Sequence, residues 1–177
     1  IHERLVGSEM CIRDRCHMHA FNLAMQSVVS EAFFAAVITK CQKVVTFTCA
    51  SHAVLAAVLA AAQGLNIQAT PTSANKTRFT SSARCVRSVN DLLVPYKSVI
   101  LQQPDLFRSA TGREVVNIMS EEHFAAWCGN VGEILLPFEQ VIMAIQRDRA
   151  TLGDVTRYWI YLSIQLGLVC IKLHSCK

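Results

Sequence analysis

Glycine and proline are scarce in this 177-residue chain, at 7 and 4 residues. That excludes a collagen-like repeat, a Gly/Pro-rich linker protein and a sandwich of many short strands, all of which depend on frequent turn residues. Charged residues make up only 17% against 52% hydrophobic residues, too few charges and too much apolar side chain for intrinsic disorder. There is no Cys-x-x-Cys pair, no His-Glu-x-x-His, no Gly-rich phosphate loop and no paired-carboxylate pattern, so the short motifs that announce zinc hydrolysis or nucleotide binding are missing. A secretory leader is not evident either. The most apolar window, Val155–Leu173, still contains Arg157, Gln165 and Lys172, and a charge at mid-bilayer costs about 2.5–3.5 kcal/mol. No membrane span is expected.

What remains is the composition of one packed, mainly helical domain, of a length that buries roughly 70% of its unfolded surface. Eight cysteines stand singly at 11, 16, 41, 49, 85, 128, 170 and 176. Singly placed on apolar helical stretches, they read as small buried hydrophobes in a reduced, intracellular protein rather than as a disulfide framework.

Apolar residues recur at helical spacing from Cys16 to Gly64: Phe21, Met25 and Val28, then Phe33, Val37, Cys41 and Val44, then Val54, Val58 and Ala61. Two or three helices follow, with breaks near Ser30 and Ser51 and with Gly64 as the terminating residue. NIQATPTSAN (Asn66–Asn75) is a loop. A helix over Ser81–Leu101, with Val86, Val89, Leu93 and Ile100 inward, is kinked or split by Pro95. Thr111–Glu114 and Thr151–Asp154 have capping-box spacing, and Ser120 with Glu121 and Glu122 repeats the acidic first turn that complements a helix dipole. Between them, Ile134, Phe138, Val141 and Ile145 form an apolar stripe through Pro137.

Charge is segregated. Lys76–Arg113 carries seven basic residues (Lys76, Arg78, Arg84, Arg87, Lys97, Arg108, Arg113) against Asp91 and Asp105, a net +5. Glu114–Asp154 carries seven acids against Arg147 and Arg149, a net −5. The first segment can face phosphate. Two ordinary solvated faces that pair with each other would give the same pattern.

Cys16, His17 and His19 look like half a zinc site. Zinc takes four tetrahedral ligands, usually as two short-spaced pairs, and no second pair is in register: His123 and Cys128 are too far apart, and His174 and Cys176 lie in the chain end. A Cys16–His19 thiolate pair with Asn22 on the same face would still need a pocket and an orienting group. Neither reading is preferred.

Several motifs in order carry a family resemblance: Cys16-x-x-His19 with Asn22-Leu23, KCQKVVTF (Lys40–Phe47), Ser51-His52, KTRFTSS (Lys76–Ser82) with CVRSV (Cys85–Val89), FAAWCGNVGEILLPFEQVI (Phe124–Ile142) and TLGDVTRYW (Thr151–Trp159). Together they resemble a hAT-superfamily transposase over nearly all of Cys16–Leu166. The resemblance implies an RNase H-like enzyme whose Asp, Asp, Glu metal core is interrupted by a bundle-like helical insertion domain. The chain would hold the C-x-x-H seam and part of that insertion, beginning after both aspartates and stopping before the glutamate. It would be inactive alone, with no cofactor of its own, while the parent uses divalent metal, Mg in the first instance, to cut and transfer DNA strands.

The same resemblance implies transposon-end DNA as partner, a homo-oligomer in the full-length protein, a nuclear location and no membrane. Arg78 matches the arginine of the family's Thr-Arg-aromatic motif, where Phe79 stands in place of the common tryptophan. A phenyl ring can still stack on a base, worth about 1–3 kcal/mol. The expected DNA-binding residues are Lys76, Arg78, Phe79, Arg84 and Arg87. The reading of a different class is a non-catalytic helical protein-interaction module, using the acidic helices and the apolar Val155–Leu166 face.

VGSEMCIRDR (Val6–Arg15) resembles the translation of a sequencing adapter, so 1–15 are expected not to be native. Residues 167–177, GLVCIKLHSCK, carry no helix-stop chemistry and are expected to be a truncated or frame-changed tail.

Overall fold

The computed structural model describes residues 19–74, 80–146 and 151–175, the side chains of Leu152 and of 172–175 excepted. Helices dominate, and no strand occurs among the described residues. In order they are α1 (19–30), α2 (Ala32–Ala50), α3 (His52–Gly64), α4 (Thr80–Asp91), α5 (Leu93–Gln102), a 3-10 turn (Pro104–Phe107), α6 (Ala110–Ser120), α7 (Phe124–Ile145) and α8 (Leu152–Ser175). They form two compact units, one of Glu31–Gly132 and one of the chain before Glu31 with the chain from Glu133 onward.

In the Glu31–Gly132 unit, α2 is the central helix, packed by α3, α4 and α6, while α5 lies against α3 and the 3-10 turn. Its inward face is Val37, Cys41, Val44, Val45 and Thr48, spaced by three and four. α2 ends at Ser51, whose extended backbone (φ −123°) leaves the helix while its hydroxyl accepts from the Val54 N–H at 3.4 Å. One serine thus stops one helix and starts the next.

The exit from α3 differs from expectation. Gly64 is still helical, and the left-handed residue is Asn66 at φ 56°. The Ile67 N–H reaches the Ala62 carbonyl at 2.9 Å and the Asn66 N–H the Gln63 carbonyl at 3.0 Å, a Schellman closure two residues later than glycine suggested. Asparagine takes the left-handed role because its short polar side chain tolerates it.

The helix expected over Ser81–Leu101 is two helices, interrupted at Leu92 rather than at the proline. Pro95 sits in the first turn of α5, where an N–H would have no helical acceptor. Restarting the helix resets its phase, so Leu92 and Val99 are buried where Leu93 and Ile100 were expected. α6 likewise begins one step earlier than Thr111: Ser109 is its cap, accepting from the Gly112 N–H at 3.0 Å. Glu114 instead pairs with Lys43 at 2.6 Å. Ser120 and Glu121 close α6 rather than open α7, which starts at Phe124.

In the other unit, Phe21 of α1 stacks on Trp159 of α8 at 4.1 Å and 23°, and the Tyr161 hydroxyl donates to Gln140 of α7. The capping box at the start of α8 is present: the Thr151 N–H and hydroxyl donate to Asp154 Oδ2 at 2.8 Å each, and the Asp154 N–H donates back to the Thr151 hydroxyl. Those hydrogen bonds hold the Asp154 carboxyl below the usual carboxylate range. α8 then continues past Leu166 through Gly167 to Ser175.

α2 and α7 are each long and apolar enough to cross a membrane by length and composition alone. Both carry a buried face inside the fold, as core helices do.

Candidate nucleic-acid interface

α4 follows from its pattern. Ala83, Cys85, Val86 and Val89 are buried, while Arg84, Arg87 and Asp91, at steps of three and four, are exposed on one face. Burial pushes the Cys85 thiol up to about 11, so the sulfur beneath this face stays neutral.

Beside α4 runs the loop from Leu65 to Ala74, and one side chain fastens them. The Ser88 hydroxyl donates to the Cys85 carbonyl at 2.9 Å and accepts from the Thr72 N–H at 3.1 Å. The result is a shallow polar groove of about 210 Å³ lined by Gln68, Ala69, Thr70, Thr72, Arg84, Arg87, Ser88 and Asp91. Two guanidinium groups, one carboxylate, a glutamine amide and two threonine hydroxyls offer donors for phosphate and both donors and acceptors for a base edge. Arg84 and Arg87 also take part in interactions within the fold.

Of the expected site residues, the structure brings Arg84 and Arg87 together. Lys76, Arg78 and Phe79 lie outside the described residues, as does Cys16. His19 is exposed at the start of α1, so the C-x-x-H pair cannot be assembled from what is described. Gln68, Thr70, Thr72, Ser88 and Asp91 were not singled out from sequence. The 84, 87, 91 spacing was a usable signal for Asp91, whereas the loop's return onto α4 had none.

Two larger grooves lie elsewhere in the same unit. One of about 620 Å³ is lined by Ile100, Pro104, Phe107, Arg108, Arg113, Val116 and Asn117. Its cations are already engaged: Arg108 pairs with Asp105 at 2.6 Å, and Arg113 donates to the Arg108 carbonyl at 2.6 Å. The other, about 440 Å³, runs between α2 and α6 past the Lys43–Glu114 pair. The acidic segment is not one solvated face: Glu114 and Glu121 go to Lys43 and Lys40 of α2, and Glu139 is only 6% exposed.

Among the described residues no three His, Cys, Asp or Glu side chains converge to hold a metal ion. The described cysteines are free thiols, with the Cys41 and Cys128 sulfurs 3.6 Å apart in the core.

Comparison with family models, with curated proteins and with solved structures returns no match.

Proposed function

We propose that this chain is a helical DNA-positioning segment of a hAT-like transposase, or of a host protein descended from one, acting on transposon-end DNA in the nucleus. The observation that carries the reading is the pair Arg84 and Arg87, exposed one turn apart on α4 above a polar groove whose loop is already fastened. The ordered series of motifs from Cys16 to Trp159 supports it independently. Phosphate contact falls to Arg84 and Arg87, joined by Lys76 and Arg78, with Phe79 available for stacking.

Strand cleavage in the parent enzyme is metal-assisted. The described carboxylates do not fit that ion: they do not converge, and Asp154 is committed to its cap. No cleavage step is assigned to them.

The test is binding of the full chain to hairpin and branched DNA across a salt series. Two to four phosphate contacts give a slope of log K against log salt of roughly −2 to −4. Arg84→Glu with Arg87→Glu, both on an exposed face, lowers affinity at least about tenfold while helical circular dichroism is unchanged. Absence of salt-dependent binding, or indifference to the double reversal, rules the reading out.

A second reading, a helical protein-interaction module, is favoured by one observation. α8 exposes Ile160, Ile164, Leu168 and Ile171 at 54–64% each.

A further inference from the structure

α5, the 3-10 turn and α6 wall the groove of about 620 Å³ in the Glu31–Gly132 unit. Its floor is apolar: Phe107 is 3% exposed, and Ile100 and Val116 lie half-buried beside it. Its rim is polar and positively charged. Arg113 and Asn117 stand four residues apart on α6, hence on one face, and Lys97 stands one turn before Ile100 on α5. No Asp or Glu is among the residues that line it.

Arg113 is engaged without being neutralised. One N–H of its guanidinium fork goes to the Arg108 carbonyl, a neutral acceptor that fixes the group at the rim and leaves its charge and its other donors to a ligand. The adjacent Glu114 is taken by Lys43. Lys97 and Asn117 are exposed, and their side chains bond to nothing among the described residues. Arg108, by contrast, is paired with Asp105 and adds little net charge. The walls are set before anything binds. Gly112 lies against the Phe107 backbone, where a Cβ would come within 2.7 Å of the carbonyl oxygen, and its N–H is held by the Ser109 cap.

We propose that this groove binds an acidic peptide segment of a partner protein, seating one aliphatic side chain on the Phe107 floor and the flanking carboxylates at Arg113, Asn117 and Lys97. Volume and shape select a peptide. The groove falls within the roughly 300–1,000 Å³ of ligand sites, but Pro104, Arg108, Arg113 and Asn117 are all exposed, so an occupant keeps one side in water. A small molecule needs most of its surface covered. A peptide needs only its anchor covered, while its backbone stays outside. Charge selects acidity: the segment Lys76–Arg113 is net +5, and a fixed guanidinium beside an unbonded amide offers the N–H donors that a carboxylate accepts. The floor distinguishes this occupant from a nucleic-acid backbone, which has no aliphatic group to place on Ile100, Phe107 and Val116. The inference rests on neither reading of function above.

The test is fluorescence anisotropy of the full chain with a labelled peptide of about ten residues, glutamates flanking one central leucine, acetylated and amidated at its ends. Saturable binding with Kd on the order of 100 µM or tighter is expected. It weakens at higher salt without vanishing, because the leucine anchor is uncharged. Replacing the glutamates by glutamine, or the leucine by serine, lowers affinity at least about fivefold. Arg113→Glu lowers it at least about tenfold and raises affinity for the same peptide with lysines in place of glutamates. Lys97→Glu acts in the same direction. Both side chains are exposed, so helical circular dichroism is unchanged; if Arg113→Glu loses its helical signal, Lys97→Glu decides. Arg84→Glu with Arg87→Glu leaves peptide binding within about twofold, which keeps this test separate from that of DNA binding.

Absence of saturable peptide binding, equal affinity for the glutamate and glutamine peptides, or indifference to both charge reversals overturns the proposal. So does equal binding of the leucine and serine peptides, which reduces the contact to non-specific charge attraction. Hairpin DNA that loses affinity with Arg113→Glu, while no peptide binds, assigns the groove to nucleic acid and overturns it too.

Discussion

The Tyr96 hydroxyl donates to the Thr48 hydroxyl at 3.0 Å, with both residues fully buried. The direction follows from proton counting. Thr48 has one hydroxyl proton and gives it to the Val44 carbonyl at 2.8 Å, so Tyr96 is the donor. Tyr96→Phe therefore removes one hydrogen bond and costs about 1 kcal/mol, whereas Thr48→Val strands the phenol proton in the core and costs about 1–3 kcal/mol. Urea melts of the two variants check the order.

The same phenol and the Cys85 thiol contribute to the alkaline sensitivity of the fold. Burial pushes Tyr96 from 10.0 up to about 12 and Cys85 from 9.0 up to about 11. Both groups hold their protons more tightly folded than unfolded. Their contribution is complete below the unfolded values and declines as pH rises from about 9 toward 12. Tyr96→Phe flattens the upper part of that decline in pH-dependent melts.

Thiol labelling separates two classes of cysteine. Cys49 and Cys170 are exposed, while Cys41, Cys85 and Cys128 are buried. The contact with the Cys128 thiol, together with burial, raises the Cys41 thiol far above its ordinary value, which keeps the reactive thiolate scarce. Maleimide labelling followed by mass spectrometry gives fast modification of Cys49 and Cys170. The buried three react only at the rate of core opening.

Lys40 and Lys43 lie one turn apart on α2 and both form ion pairs, yet they are not equivalent. Lys40 meets Glu121 with side chains about one-third exposed and stands 5.3 Å from the centre of the Trp127 ring. Lys43 and Glu114 are half-exposed. A double-mutant cycle returns coupling near zero to about 0.5 kcal/mol for Lys43–Glu114 and up to about 1 kcal/mol for Lys40–Glu121. Lys40→Ala also changes Trp127 emission, which Lys43→Ala leaves alone.

Two glycines respond oppositely to alanine. A Cβ at Gly112 lands 2.7 Å from the Phe107 carbonyl oxygen, a backbone atom that cannot swing aside, whereas a Cβ at Gly64 meets nothing within 4 Å. Gly112→Ala destabilises by about 1–3 kcal/mol. Gly64→Ala, within α3, is neutral or stabilises by up to about 1 kcal/mol. Thermal melts of both variants read the contrast.

Sequence periodicity located what depends on local spacing: the buried run Val37, Cys41, Val44, the break at Ser51 and the Thr151–Asp154 box. It missed where two local solutions compete. Ser109 and Thr111 are both good caps, and the choice goes to Ser109 because Gly112 must lie against the Phe107 backbone, a contact no spacing encodes. Phe33, expected inside, is 46% exposed and meets Trp127 edge-on at 6.0 Å, a pairing across 94 residues. For the site, the Arg84, Arg87 face was legible as helical arithmetic. Its other wall was not, because nothing before Pro71 indicates that this loop turns back onto Ser88.

That wall has a consequence for how any ligand would be met. A single hydroxyl, Ser88 Oγ, is shared between a carbonyl of its own helix and the Thr72 amide of the loop. Segment 68–72 is therefore held in place before anything binds, and the entropic cost of shaping the groove is borne by folding rather than by recognition. Ser88→Ala would cut that tether while leaving both arginines and every charge on the face untouched. Binding would then weaken without any change in its dependence on salt, separating the readiness of the surface from its attraction.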